Sequence, residues 1–149
     1  MAAFEDYPVR SVATLLAGSA PQEENEYLQK PGDRYFEAGV VVAKSRLVCS
    51  AGARAISDDR QTFLRQYFQG RRQPQMAELF REELPCREGF RKYWLPIQAP
   101  LMSYFLKEVS PGKPVDLYIM FIGSFRSTSS DLIHVFAINE FSVVPEGAK

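Results

Sequence analysis

The apolar positions in three stretches of the chain follow the pattern of β-strands. The first stretch, Arg34–Val48, contains three consecutive β-branched residues, Val40–Val42, which favour a pleated strand over a helix. The other two, Val115–Ile122 and Leu132–Phe141, flank a polar loop and predict an antiparallel hairpin. Both faces of Val115–Ile122 are apolar, so we expect this strand to lie inside a sheet that is covered on both sides.

Three further stretches have apolar residues at helical spacing. The first begins at Ser57 or Asp58, either of which can cap it, and ends at Gly70. The second follows Pro74 and ends at Leu84, before a proline, and the third begins near Pro100. Residues 85–96, between the second and third helices, are predicted to be a linking loop.

The predicted order is therefore a strand, then helices, then a hairpin, which indicates the α+β class. We expect a small curled antiparallel sheet or a partly open barrel, OB-like in one form, with about three helices packed on it. Residues 1–33 are predicted to be an irregular N-terminal segment with a short helix at Val9–Gly18. Residues 34–149 are predicted to form a single α+β domain.

The composition narrows the classes of partner. The 149 residues carry 18 basic and 18 acidic side chains, so the net charge is zero and a general polyanion binder is not expected. A neutral surface also eases self-association, so a homodimer is considered. No apolar run reaches the length of a membrane span. Glu5 and Asp6 stand where a signal peptide would carry positive charge.

The two cysteines, Cys49 and Cys86, permit one disulfide, and two free buried thiols are the alternative. The compartment depends on this bond and on the start of the chain. A periplasmic or secreted location is expected if a signal peptide was removed before Met1, and a cytoplasmic one otherwise. The localisation is therefore left open.

Candidate catalytic chemistry is sparse. His134 is the only histidine, and we expect it to be semi-buried in a strand with one hydrogen bond. No residues have the spacing of a metal site, and no motif indicates a cofactor. A pairing of Cys49 with His134 is the one nucleophile–base combination available to a small enzyme. No catalytic residue is assigned.

The polar loop Gly123–Ser130 is the first candidate binding site. Its backbone N–H groups and Arg126 would form an anion nest, and a solvated hairpin loop is the alternative. Phe125 would be an aromatic anchor for a protein partner if it stood at an exposed loop tip. The candidate anion-binding residues are Ser124, Arg126, Ser127 and Thr128.

The region between Arg54 and Lys92 is rich in arginine and is followed by Tyr93 and Trp94. Basic groups beside aromatic rings suit a single-stranded nucleic acid. Acidic residues are interspersed, however, and this mixture is more typical of solvated helix faces. Nucleic acid is therefore the less expected partner, and Tyr93 and Trp94 join Phe125 and Arg126 as candidate contacts for a protein.

The absence of a catalytic motif, a phosphate loop and net charge favours a non-enzymatic binding or interaction module, of an accessory, inhibitory or immunity type. The alternatives are a single-stranded nucleic-acid or anion binder that uses the arginine-rich region, and a small enzyme that uses Cys49 and His134.

Overall fold

The computed structural model describes residues 4–19, 35–126 and 132–145. The helices in these ranges are α1 (Val12–Ser19), α2 (Asp58–Gly70) and α3 (Ala99–Glu108), with 3₁₀ helices at Phe4–Asp6 and Pro74–Leu79. The strands are β1 (Tyr35–Cys49), β2 (Arg54–Ala55), β3 (Phe80–Glu88), β4 (Arg91–Gln98), β5 (Pro114–Arg126) and β6 (Leu132–Val143). The predicted α+β class is confirmed.

The strands form one mixed sheet whose hydrogen bonding closes into a ring. The order is β1-β5-β6-β4-β3, with β2 beside β3, and β3 pairs back onto β1. Two of these contacts are short. In the described residues β4 meets β6 in parallel at Ile97 and Ile138, and β1 meets β3 at two residue pairs that include Cys49 and Cys86. The ring is therefore not a clear barrel, and the parallel β4–β6 pairing makes the sheet mixed instead of wholly antiparallel.

Two sequence predictions in the middle of the chain are wrong. Residues 74–84 were predicted as a helix, but only one 3₁₀ segment forms there, and the chain then enters β3. Residues 85–96 were predicted as a loop, but they belong to the β3–β4 hairpin, which turns at Gly89 with a φ of 61°. Pairing with β1 and β4 overrides the local pattern, because strand formation depends on neighbours more than on propensity.

The sheet carries a hydrophobic core on each face. One core contains Leu117, Ile119 and Phe121 of β5 and is closed by residues of α1 and α3. The other contains Met120 and Ile122 of β5 and packs against α2 and the following 3₁₀ helix. The prediction that β5 is covered on both sides is confirmed. The face that carries α2 is called the outer face below, and the core on the opposite face is called the inner core.

The described part of the N-terminal segment packs on this body. Val9 forms a parallel bridge with Lys44 of β1, and the N–H of Lys44 donates to the carbonyl of Pro8 at 2.8 Å. The helix predicted at Val9–Gly18 is confirmed as α1, whose Val12 is fully buried. The predicted boundary at residue 33 lies outside the described residues. None of the helices described is long and apolar enough to cross a membrane.

Candidate functional site

An aromatic cavity of about 300 Å³ lies on the outer face of the sheet. Strands β1, β4, β5 and β6 provide its floor, and the N-terminal segment, α2 and the following 3₁₀ helix provide its walls. Its apolar lining consists of Phe4, Tyr7, Val42, Tyr67, Phe68, Met76, Phe80 and Met120, and its polar lining consists of Arg71, Gln73, Gln98 and Asn139.

The register of the strands determines which residues of the floor face the cavity. Val42 of β1 lies directly opposite Met120 of β5, so both side chains point to the outer face. On β6 the pairing shifts between Tyr118 and Ile119, and this bulge leaves Asn139 without an opposite residue in β5. A bulge re-aims the side chain it carries, and here it directs a polar amide toward the cavity.

The aromatic side chains of the walls contact one another in pairs. Phe68 and Phe80 are stacked at 6.0 Å between ring centroids, and Tyr67 meets Phe68 edge-on at 5.2 Å. On the opposite side Phe4 and Tyr7 lie 5.6 Å apart. Paired rings of this kind form a continuous apolar surface along the walls.

A chain of hydrogen bonds crosses the cavity floor. The amide of Gln98 donates to Asn139 Oδ1 at 3.1 Å, and the amide of Asn139 donates to the hydroxyl of Tyr7 at 3.3 Å. Tyr7 accepts in this chain, so its own hydroxyl hydrogen remains available to donate. Gln98 likewise retains its carbonyl oxygen as an acceptor. The floor can therefore both donate to and accept from a ligand.

Arg71 supplies positive charge at the rim of the cavity. Its guanidinium carbon lies 4.0 Å from the centroid of the Tyr67 ring. Contact with the ring face holds the cation over an aromatic wall instead of leaving it free in solvent. The rim is thus suited to a ligand whose apolar body carries an acceptor or an anionic group at one end.

Phe125 does not lie at an exposed loop tip, and the expectation based on that exposure is wrong. The side chain is 7% exposed, belongs to the outer-face core and stacks on Phe63 at 5.7 Å. The physical reason is that β5 extends to Arg126, beyond the predicted end at Ile122, and α2 covers this end of the strand.

Most of the predicted anion nest lies outside the described residues, and its one described side chain, that of Ser124, is already paired. Ser124 is fully buried and its hydroxyl lies 2.7 Å from Nδ1 of His134. A buried hydroxyl that is already paired is not available to an incoming anion. Only the backbone of Arg126 is described, and Ser127 and Thr128 lie outside the described residues.

His134 has the environment that the sequence predicts, half-buried and hydrogen-bonded. Burial lowers the pKa of the imidazole below its usual 6.5, because the charged form is poorly solvated there. The ring also meets Phe121 edge-on at 6.0 Å. These contacts describe a histidine that holds the end of the β5–β6 hairpin together.

The structure does not bring Cys49 and His134 together. Cys49 is bonded to Cys86, with 2.09 Å between the sulfur atoms, so the permitted disulfide forms and Cys49 presents no thiolate. Val48 pairs with Pro114 at one end of β5, and His134 pairs with Ser124 ten residues further on. That interval is about 30 Å in a strand.

Tyr93 and Trp94 face opposite sides of β4. The ring of Tyr93 meets Phe136, a residue of the inner core, edge-on at 6.0 Å. Trp94 faces outward, where the guanidinium of Arg54 lies 3.5 Å from its centroid and the ammonium of Lys92 lies 5.0 Å away. The two residues therefore cannot form one contact surface.

A buried carboxylate anchors the arginine beside Trp94. Glu83 is fully buried, and it accepts from Arg54 Nε at 2.8 Å and lies 3.5 Å from Arg60 Nη1. Two residues of the arginine-rich region thus neutralise an internal acid, so they contribute less to a basic surface than the sequence indicates.

Gln98 and Asn139 carry no recognisable signal in the sequence, because each is a single amide, one at the end of β4 and one within β6. Tyr67 and Phe68 are apparent only as one face of α2, which is typical of core residues. In the described ranges no three acidic, histidine or cysteine side chains converge to hold a metal ion.

Comparison of the chain with protein-family models, with curated proteins and with solved structures gives no match. Any assignment of function therefore rests on the geometry of this chain.

Proposed function

We propose that the protein is a non-enzymatic binding module that holds a small, largely apolar ligand in the aromatic cavity. The observation that carries this proposal is the polar chain Gln98–Asn139–Tyr7 across the floor of an otherwise aromatic cavity. Apolar walls supply affinity, and a few fixed polar groups orient the ligand, as in most small-molecule sites.

The size of the cavity limits the ligand. About 300 Å³ is at the lower end of the range for ligand sites. One or two fused or linked rings would fill it, with a donor or acceptor toward Gln98 and Asn139. An anionic group on such a molecule would lie near Arg71 at the rim.

The chemistry of the lining supports binding without catalysis. Among the described residues, the lining contains no histidine and no carboxylate, the side chains that most often act as general bases.

The test uses 8-anilinonaphthalene-1-sulfonate, an aromatic anion whose emission rises in apolar sites. We expect saturable binding with one site per chain. Val42→Phe fills the floor and should weaken binding at least tenfold, whereas the same exchange at Val143, outside the cavity, should leave it unchanged. Unchanged affinity of a folded Val42→Phe variant would contradict the proposal.

Single-stranded nucleic acid is a second candidate ligand, at a different surface. Trp94 lies beside Lys92 on the outward side of β4, and Arg87 of β3 pairs opposite Lys92. An aromatic ring among cations is the arrangement on which unpaired bases stack.

Trp94 is the only tryptophan, so its fluorescence reports on this surface directly. A fifteen-nucleotide oligothymidylate should quench it at 20 mM salt and much less at 200 mM, because phosphate contacts release counterions. Absence of quenching at low salt would remove this candidate.

A further inference from the structure

We propose that the groove between α3 and the edge of β6 at residues 140–143 binds an extended peptide segment by strand addition, and that this segment alternates apolar and basic residues. The surface is separate from the aromatic cavity, and the proposal does not depend on the ligand of that cavity.

The last four residues of β6 form an open edge among the described residues. On one side they pair with β5, from Tyr118 opposite Glu140 to Val115 opposite Val143. On the other side β4 meets β6 at Ile138 and ends at Gln98, where the chain turns into α3. An unpaired strand edge can accept the backbone of another segment.

The hydrogen bond of Phe141 shows how this edge is protected. Its N–H donates to the carboxylate of Glu140 at 2.9 Å. A side-chain partner for a strand N–H indicates that this donor faces away from β5. The carboxylate can rotate aside, so an incoming carbonyl oxygen can replace it without disturbing the β5–β6 pairing.

A groove of about 560 Å³ with both polar and apolar lining runs beside the edge. Tyr104 on α3 is 59% exposed and Val143 on β6 is 49% exposed, so apolar surface on both walls faces solvent. Four apolar side chains and two carboxylates line the groove. The apolar side chains are those of Leu101, Tyr104, Phe141 and Val143, and the carboxylates are those of Glu108 and Glu140.

The two carboxylates determine the kind of occupant. Glu108 on one wall and Glu140 on the other favour basic side chains in the incoming strand. A second copy of this chain would bring the same carboxylates toward each other across a two-fold axis, which is unfavourable. A segment of about five residues is sufficient, because four residues of β6 span about 13 Å.

The probe is a synthetic peptide of three Lys-Val repeats, acetylated and amidated, titrated into the full chain by calorimetry. We expect saturable binding to the wild type. The same peptide with glutamate in place of lysine should not bind, and a version methylated on alternate backbone nitrogens should bind at least tenfold more weakly.

Two variants locate the site. Val143→Pro removes a backbone donor from the open edge and should weaken binding at least tenfold, and the Glu108→Gln, Glu140→Gln double variant should do the same through charge. An unchanged near-ultraviolet circular dichroism spectrum and a cooperative thermal unfolding transition show that each variant is folded. Equal affinity of Val143→Pro and wild type, equal binding of the acidic peptide, or a wild-type dimer that Val143→Pro dissociates would each overturn the proposal.

Discussion

At the scale of single residues, two phenylalanines with similar sequence neighbours have opposite environments. Phe125 and Phe90 are each preceded by a small residue and followed by arginine. Phe125 stacks on Phe63 in the outer-face core, whereas Phe90 stands fully exposed at the turn of the β3–β4 hairpin. Phe125 lies in β5 under α2 and Phe90 lies in a turn, and the local sequence contains neither fact.

This difference predicts unequal effects of the same substitution. Phe125→Ala should lower the free energy of unfolding by about 3–5 kcal/mol, because it removes a buried aromatic side chain. Phe90→Ala should change it by less than about 0.5 kcal/mol. Urea denaturation of the two variants measures both values. A small effect of Phe125→Ala would contradict its place in the core.

The buried imidazole of His134 predicts a pH dependence of stability. Burial lowers the pKa of His134 in the folded protein, so the unfolded state binds a proton more readily. Above the unfolded pKa of about 6.5, His134 is neutral in both states and does not lower the free energy of unfolding. As the pH falls below that value, the unfolded state takes up the proton first and the free energy of unfolding decreases. His134→Gln should remove that part of the loss.

Urea denaturation at pH 7.5 and at pH 5.0 tests this prediction in both proteins. Carboxylates titrate in both proteins. The quantity to compare is therefore the loss of stability between pH 7.5 and pH 5.0 in wild type and in His134→Gln. An identical loss of stability in the two proteins would contradict the direction of the pKa shift.

At the scale of elements, a strand end caps a helix that is distant in sequence. The carboxylate of Glu88, at the end of β3, accepts from the backbone N–H groups of Val12 at 2.8 Å and Ala13 at 3.2 Å. These N–H groups begin α1 and have no partner within the helix. A negative group at this position also meets the positive end of the helix dipole.

Glu88→Ala should therefore destabilise the protein by about 1–2 kcal/mol. Glu82→Ala is the matched control, since Glu82 is an exposed residue of the same strand, and it should change stability by less than about 0.5 kcal/mol. Hydrogen exchange at Val12 and Ala13 should accelerate only in the first variant. Equal exchange in both would show that Glu88 does not cap α1.

The elements that the sequence predicts well are those whose pattern agrees with their final neighbours. The helix Asp58–Gly70 has one apolar face and packs with that face on the sheet, so local and tertiary preferences coincide. The error lies in Phe80–Glu88, where Phe80 and Leu84 fit helical spacing by coincidence. Leu84 and Cys86 also alternate as a strand does, and pairing on both edges decides between the two.

The candidate site is harder to predict than the fold. Asn139 reaches the cavity because of a bulge, and Tyr7 reaches Asn139 because the N-terminal segment bridges to β1. Both facts concern register between segments far apart in sequence. The sequence of either segment alone does not determine them.

At the scale of the whole molecule, a covalent bond closes the ring of strands at one of its two short contacts. The β1–β3 contact comprises two residue pairs, and one of them is Cys49–Cys86. The bond joins residues separated by 37 positions, which restricts the unfolded chain considerably.

The double substitution of Cys49 and Cys86 by serine should therefore lower the free energy of unfolding by about 3–4 kcal/mol. Chemical denaturation of the variant, and of the wild type with and without reductant, measures the loss. Stability of the wild type that does not change when reductant is added would show that the bond does not hold the ring closed.

The central claim, that the aromatic cavity binds a ligand, is tested most directly by the methionine methyl groups. Met76 and Met120 line the cavity, and Met102 lies in the inner core. In protein labelled with carbon-13 at the methionine methyls, bound 8-anilinonaphthalene-1-sulfonate should give intermolecular nuclear Overhauser effects to Met76 and Met120 and none to Met102. Saturable binding without any contact to Met76 or Met120 would contradict the claim.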